Sequence, residues 1–536
     1  MRFLASPMLV LAMVSSALAA PPPSAPPSPA PGHVLHVDNQ SPAASDRNAG
    51  TALLPLKTIG RAVQLAVRSN AEGKPVTVLI HPGTYRESVS VRDGGTSAAI
   101  AFRATDPGNA VISGSDVWTG WRRLGTTPVF TREWPYRWGL ARIPRQWPSL
   151  QDIVRRREMV FVNGQLLRQL LAPAPLEEGT FSVDEANRVV YLWPGNGTDP
   201  NAALVEVAVR PTLFTASGRA SLTVSGLVFE HAATPVDDDA VYVENTTNVL
   251  VQDNVFRWNN WGGFGVAQSA NVAALRNVAN HNGGRGMDVY MVKSLRYADN
   301  DTSYNNWRGA QGRFYGWSAA GIKALLVHGG TISNHRAAFN QAHGFWLDTD
   351  NENVTIADGV WCGNRTDGAF IEASQGPITV LRTTMCLNGR AGALIVESSN
   401  VTIRDSAFYG NGKAQVLVAG DSFRAVTNWE TRHTVEVRTQ HLTLCGNAIV
   451  SNSRDQHVLS IPAWDFLLAS LRSTRNDWWS PQNAAPFHVE RRPHLDLAGW
   501  RRASGQDADS LSADPRFTDP AAWNFVPLAG SLWPRC

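Results

Sequence analysis

A chain of 536 residues is longer than one hydrophobic core normally serves, so it is built either of several domains or of an elongated repeat. Its net charge of +3, with no basic run longer than Arg155-Arg156-Arg157, excludes the concentrated cationic face that a nucleic-acid partner demands. Four cysteines are too few for a disulfide scaffold, and 19 tryptophans among only 17% charged residues suit either a sugar-binding surface of indoles or ordinary core packing.

Residues 1–19 combine Arg2, a short apolar run and Ala17-Leu18-Ala19, which reads as a signal peptide too short to span a bilayer. No later apolar stretch reaches membrane length, so the protein is expected to be secreted or periplasmic, without a membrane span. Residues 20–32 are a Pro-rich linker that acts as a stiff tether. In 33–118, TIGRAVQLAVRS (58–69) places Thr58 as N-cap of an amphipathic helix that plugs one end of the fold. VTVLIHPGTYRESV (76–89) then begins the first coils. Residues 119–212 carry the hairpin-like pieces EMVFVNGQLLRQ (158–169) and GTFSVDEANRVVYLWP (179–194), and read as a small inserted antiparallel β domain.

Residues 213–460 repeat. Gly344-Phe345-Trp346-Leu347-Asp348, Gly368-Ala369-Phe370-Ile371-Glu372 and Gly392-Ala393-Leu394-Ile395-Val396 start 24 residues apart. Asn248-Val249, Asn271-Val272 and Ser294-Leu295 recur every 23, and Asn254, Asn277 and Asn300 keep step with them. A period of this length signals a solenoid. Short alternating stretches such as Asn353-Val354-Thr355-Ile356 lack the three-and-four spacing of helical repeats. The expected fold is therefore all-β, a right-handed parallel β-helix with one coil per repeat. Asparagines at fixed coil positions suit turns in the left-handed region and a hydrogen-bonded ladder up the stack. From 461 the repeat fades, and 461–536 reads as a C-terminal cap. Cys362 and Cys386 also lie 24 apart, where a disulfide and a stack of free thiols both fit; Cys445 with Cys536 is left open in the same way.

Asp348 is out of place in an apolar strand, since Asp is depleted there. Alternation turns Phe345 and Leu347 inward and sends Trp346, Asp348 and Asp350 outward; one coil on, Phe370 and Glu372 point outward. Asp348 and Glu372 thus stack at one register on strands about 4.8 Å apart. Two carboxyl groups about 5–5.5 Å apart are the pair a retaining glycosidase uses, whereas an inverting one needs about 6.5–9.5 Å. Outward carboxylates on a solenoid are also commonly just solvated, so geometry alone leaves both readings open.

The stretches GFWLDTDN (344–351) and AFIEASQGPITV (369–380) resemble the paired motif of glycoside hydrolase family 120, typified by β-xylosidases. In that family a Gly-Ile-Trp-Leu-Asp strand carries the nucleophile, and a Phe-Val-Glu strand followed by Gly-Pro carries the acid/base. The resemblance implies Asp348 as nucleophile, Glu372 as general acid/base, and a β-sandwich domain set into a β-helix. Around the pair, Trp346, Trp317, Lys323, His343 and Asp350 are candidate substrate-binding residues, Trp317 and Lys323 coming from the stretched segment NNWRGAQGRFYGWSAAGIK (305–323). The expected partner is an oligo- or polysaccharide, with no cofactor required and no metal ligands assigned. Two alternatives stand beside the hydrolase. A polysaccharide lyase or epimerase acting on uronic-acid polymers would recruit Lys293, Arg285, Arg313 or Lys323 and hold Ca²⁺ at Asp237-Asp238-Asp239; a carbohydrate-binding β-helix would have no catalysis at all.

Overall fold

The computed structural model describes residues 32–92, 98–143, 147 and 149–536, so the signal peptide and all but the last residue of the Pro-rich linker lie outside it. Most repeats lay down three short strands, while three successive repeats run the first two together as one 14-residue strand (Gly262–Leu275, Arg285–Ala298 and Ala320–Ser333), and the strands stack in parallel around a common core. The coil beginning at His343–Asp348 continues through Glu352–Ala357 and Val360–Cys362. It hydrogen-bonds in register with Ala369–Glu372, Ile378–Leu381 and Thr384–Cys386 of the next coil. This is a parallel β-helix.

The repeat dictates this geometry residue by residue. Phe345, Leu347, Ala369, Ile371 and Ile395 alternate inward and are at most 1% exposed, so each coil stacks its apolar row on the last. Asn248, Asn271, Ser294, Asn353 and Asn400 turn the chain between sheets with φ of 52–58°, the left-handed region that Asn tolerates. A second asparagine column closes another corner. Asn259, Asn282, Asn305, Asn340, Asn364, Asn388 and Asn411 are at most 1% exposed. Each amide donates to the next one's Oδ1 at 2.9–3.1 Å. Beside that ladder runs a column of glycines. At Gly344 an added Cβ would come within 2.6 Å of Asn364 Nδ2 and 2.8 Å of Gly368 O, so no side chain fits.

The N-terminal helix spans Ile59–Ala71, with Thr58 accepting from Arg61 N–H as its cap. The insertion is framed slightly earlier than 119–212: Ser115–Val117 pairs with Val205–Ala208, closing it like a drawstring. Its sheets are mostly antiparallel, but Arg168–Leu171 runs parallel to Thr180–Asp184. Arg308, 1% exposed, docks the insertion on the coils through Gln169 Oε1 (2.8 Å) and the Glu158 carbonyl (2.7 Å).

At the other end the boundary at 460 moves. Coil strands continue through Arg472–Thr474, Asp477–Trp479 and Phe487–Val489. A helix at Asp465–Ser470 lengthens one turn and hides the period from the sequence. The cap begins with the helix Leu497–Ser504, which buries Trp500 against the last coil. Disulfides join Cys362 to Cys386 on adjacent coils and Cys445 to Cys536 across the C-terminal segment. Among the described residues, no helix is long and apolar enough to cross a membrane.

Candidate active site

Asp348 closes the strand His343–Asp348, and Glu372 closes Ala369–Glu372. Leu347 pairs with Ile371, so the two carboxylates follow one step further along neighbouring strands, on the outer face. Their side chains are 15% and 14% exposed, enough for a ligand to reach both. The column is apolar beyond Glu372, where Val396 and Ala419 occupy the same register.

Each carboxylate is held on both oxygens. Asp348 Oδ2 lies 3.0 Å from Lys323 Nζ, and Oδ1 accepts from Thr349 Oγ1 at 2.8 Å. Lys323 is fixed in turn by the Trp317 carbonyl at 2.8 Å and sits 4.0 Å above the Trp346 ring. Glu372 Oε2 accepts from Trp346 Nε1 at 3.1 Å, and Oε1 lies 2.6 Å from Arg424. Arg424 also reaches Glu397 Oε2 at 2.8 Å, so it bridges two successive coils. Burial works against the Arg424 charge, but Glu372, Glu397 and Asp348 outweigh it and hold its pKa above the ordinary arginine value.

Two cavities meet at Asp348. One, of about 550 Å³, is walled by Trp147, Trp317, Trp346, Phe370 and His343, with Glu372, Arg390 and Arg424 along its edge. Trp346 and Phe370 stack at 5.0 Å, and His343 packs against both rings. His343 Nδ1 lies 3.0 Å from Asp367. Burial pushes the Asp367 carboxyl up, but His343 and Arg390 prevail and hold it below its usual range. The other cavity, of about 580 Å³, is lined by Asp237, Asp239, Arg285, Asp288, Lys323 and Tyr290. Burial pushes the Asp288 carboxyl up to about 7, with Asp239 and Asp237 adding to the effect and Arg285 and Lys323 opposing it. A further cavity of about 550 Å³ lies against the C-terminal segment around Trp523 and Phe525, away from the carboxylate pair.

The structure thus gathers Asp348, Glu372, Trp346, Trp317, Lys323 and His343 around one cleft. Asp350 does not join them. The strand ends at Asp348, and Thr349 and Asp350 take φ of 33° and 56°, so the alternation that would have sent Asp350 outward stops. Its side chain is 0% exposed, accepting from Trp429 N–H at 2.7 Å and Gln375 Nε2 at 2.8 Å, away from the cleft. Of the Asp237–Asp239 run only Asp239 is buried; the exposed Asp237 and buried Asp239 both grip Arg285, at 2.8 and 2.9 Å.

Sequence reasoning misses Arg424, Trp147 and Asp288. Arg424 stands on a hairpin, Arg424–Thr427 paired with Thr434–Val437, inserted in one coil. The signal for it is the stretched period: Thr402 pairs with Thr443 where a further 23–24 residues would be the rule. Trp147 comes from the insertion, whose contact with the coils no local pattern announces.

Residues 239–429 match the family model described as the right-handed β-helix region. The structure of XylC in complex with xylose is 14% identical with a TM-score of 0.63, covering 90% of this chain and 87% of that one. The A-module of the mannuronan C-5 epimerase AlgE4 of Azotobacter vinelandii is 12% identical with a TM-score of 0.44, covering 85% of this chain and 96% of that one. The uncharacterized protein YwoF of Bacillus subtilis (strain 168) is 38% identical over 87 residues, a match that spans 16% of this chain and 17% of that protein. At such identities a shared architecture is what the likeness to XylC shows, and it agrees with the strand register: the chain is a right-handed parallel β-helix.

Proposed function

We propose that the protein is an exported glycoside hydrolase that cleaves β-xylosides or related oligosaccharides with retention of configuration. The observation that carries this is the pair Asp348 and Glu372 at one register on adjacent strands, facing a cleft of aromatic rings. Strands about 4.8 Å apart hold such a pair near the spacing of a nucleophile and its acid/base partner. The overlay on XylC, a structure that holds xylose, supports a pentose-sized substrate.

In this mechanism Asp348 attacks the anomeric carbon while Lys323 fixes its second oxygen. Glu372 gives a proton to the departing oxygen, then takes one from the water that releases the glycosyl-enzyme. Asp348 faces both cavities whereas Glu372 borders the aromatic one, so the leaving group lies over Trp346 and Phe370 and the glycone beside Lys323 and Asp288. Arg424 occupies one Glu372 oxygen, and its 42% exposed side chain has room to shift as substrate enters.

A uronate lyase or epimerase needs cations free to meet the substrate carboxylate. Arg285 is already matched by Asp237 and Asp239, and Lys323 by Asp348, which favours the hydrolase.

A screen of aryl β-xylosides and related glycosides tests the proposal. Asp348→Ala is expected to abolish turnover with an unchanged far-UV spectrum. Glu372→Ala keeps its activity on activated aryl leaving groups and forms the glycosyl azide when azide is added. NMR of the first product must show the starting anomeric configuration; inversion removes the nucleophile role from Asp348. An unsaturated uronate product would establish the lyase instead.

A further inference from the structure

Outside the cleft, three side chains converge where the 424–437 hairpin lies on the coils. His328 and Glu352 are register partners on adjacent coils, and Asp350 comes from the turn just before Glu352. One nitrogen or oxygen of each lies within 4.8 Å of the others. We propose that His328, Asp350 and Glu352 bind a divalent transition-metal cation of the zinc class, which clamps the hairpin to the β-helix.

The histidine defines the chemistry. His328 Nδ1 lies 2.8 Å from Glu430 Oε2, and a carboxylate oxygen accepts, so Nδ1 carries the proton. Nε2 then turns its lone pair inward. It lies 3.4 Å from Asp350 Oδ2, makes no hydrogen bond, and belongs to a side chain only 8% exposed. A charge-assisted N–H···O pair closes to about 2.7–2.9 Å, so 3.4 Å is long for direct contact. Two ligand atoms each about 2.0–2.1 Å from a tetrahedral zinc stand at about that separation.

Charge points the same way. Asp350 is fully buried, and among the described residues no lysine or arginine pairs with it. Lys293 pairs with Glu430, leaving Asp350 and Glu352 to balance a dication beside a neutral imidazole. The outer partners of a metal site are already in place. Glu430 orients His328; Gln375 and the Trp429 amide hold Asp350; Asn428 Nδ2 donates to Glu352 Oε1 at 2.8 Å. Asn428, Trp429 and Glu430 all belong to the hairpin tip, so a bound cation would fasten the arm that carries Arg424.

The test uses the untagged exported chain, disulfides intact, dialysed against chelator and titrated with Zn²⁺ against a chromophoric competitor, with Ca²⁺ in a parallel arm. The expected result is one zinc equivalent, a higher melting temperature, and slower proteolysis at the hairpin tip, with no comparable calcium binding. Glu352→Gln, at a partly exposed position that does not threaten folding, is expected to weaken zinc by at least about 100-fold, and His328→Ala likewise. Any one of four results overturns the proposal. These are no saturable zinc binding by the folded wild type, unchanged affinity in Glu352→Gln, calcium binding in place of zinc, or full binding retained by His328→Ala. The last would move the ion to a separate cluster, the mutually packed rings of His457, His488 and His494.

Discussion

Single side chains show how strongly this cleft depends on paired charge. Lys323 holds Asp348 Oδ2, the oxygen that does not attack in the proposed mechanism, so under that mechanism Lys323→Met is expected to lower kcat/KM about 100-fold on the substrate found, with a smaller change in KM. Asp288 offers a pH test. Its carboxyl is normally near 3.8 and is pushed up to about 7 in the fold, so the stability it contributes is complete below pH 4 and is lost as pH rises through 7. Asp288→Asn removes that loss; its melting temperature relative to wild type should rise between pH 4 and pH 8, a differential on the order of a few kcal/mol. At this scale the sequence is legible while a strand lasts. Period-two alternation places Trp346, Asp348, Phe370 and Glu372 correctly on the outer face. It misplaces Asp350 because Thr349 has already turned the backbone, and no residue type in Asp348-Thr349-Asp350 marks where the ladder stops.

Among elements, the asparagine ladder and the docked insertion carry distinct loads. Asn364 accepts from Asn340 and donates to Asn388, so Asn364→Ala strands buried amide groups on both sides. A cost of about 2–3 kcal/mol is expected, read as a lowered thermal midpoint. Arg308→Met cuts two hydrogen bonds across the seam between insertion and coils, to Gln169 and the Glu158 carbonyl, and one to Asn260 within the coils. It should expose the insertion to proteolysis while the coils stay resistant, and weaken binding of ligands that lean on Trp147. The coils are legible because every repeat solves the same packing problem at the same spacing. The hairpin and the 305–319 excursion are not: each occurs once, and a single departure from a period announces extra chain without saying what it folds over. Arg424 approaches Glu372 from such a departure, 52 residues downstream.

At the level of the whole molecule, the two disulfides close chain segments of 24 and 91 residues. The chain-entropy relation assigns them about 3.5 and 4.6 kcal/mol respectively. Reduction should therefore lower the melting temperature, and Cys536→Ser should release the C-terminal segment first, seen as early proteolysis beyond the last coil. The insertion has another effect, on how quickly the native state is reached. Ile100 and Leu222 are partners in one sheet, so the chain must bring together positions about 120 residues apart before the early coils can grow. Once Ser115 and Ala208 have paired, the insertion short-circuits that path and leaves about 30 residues of open chain. Two halvings of a loop are worth about 1.2 kcal/mol, close to a tenfold gain in the search. Pulsed hydrogen exchange should accordingly find the amides of Phe181 and Val190 protected before those of Leu222 and Val224: the segment that interrupts the spiral is what lets the spiral begin.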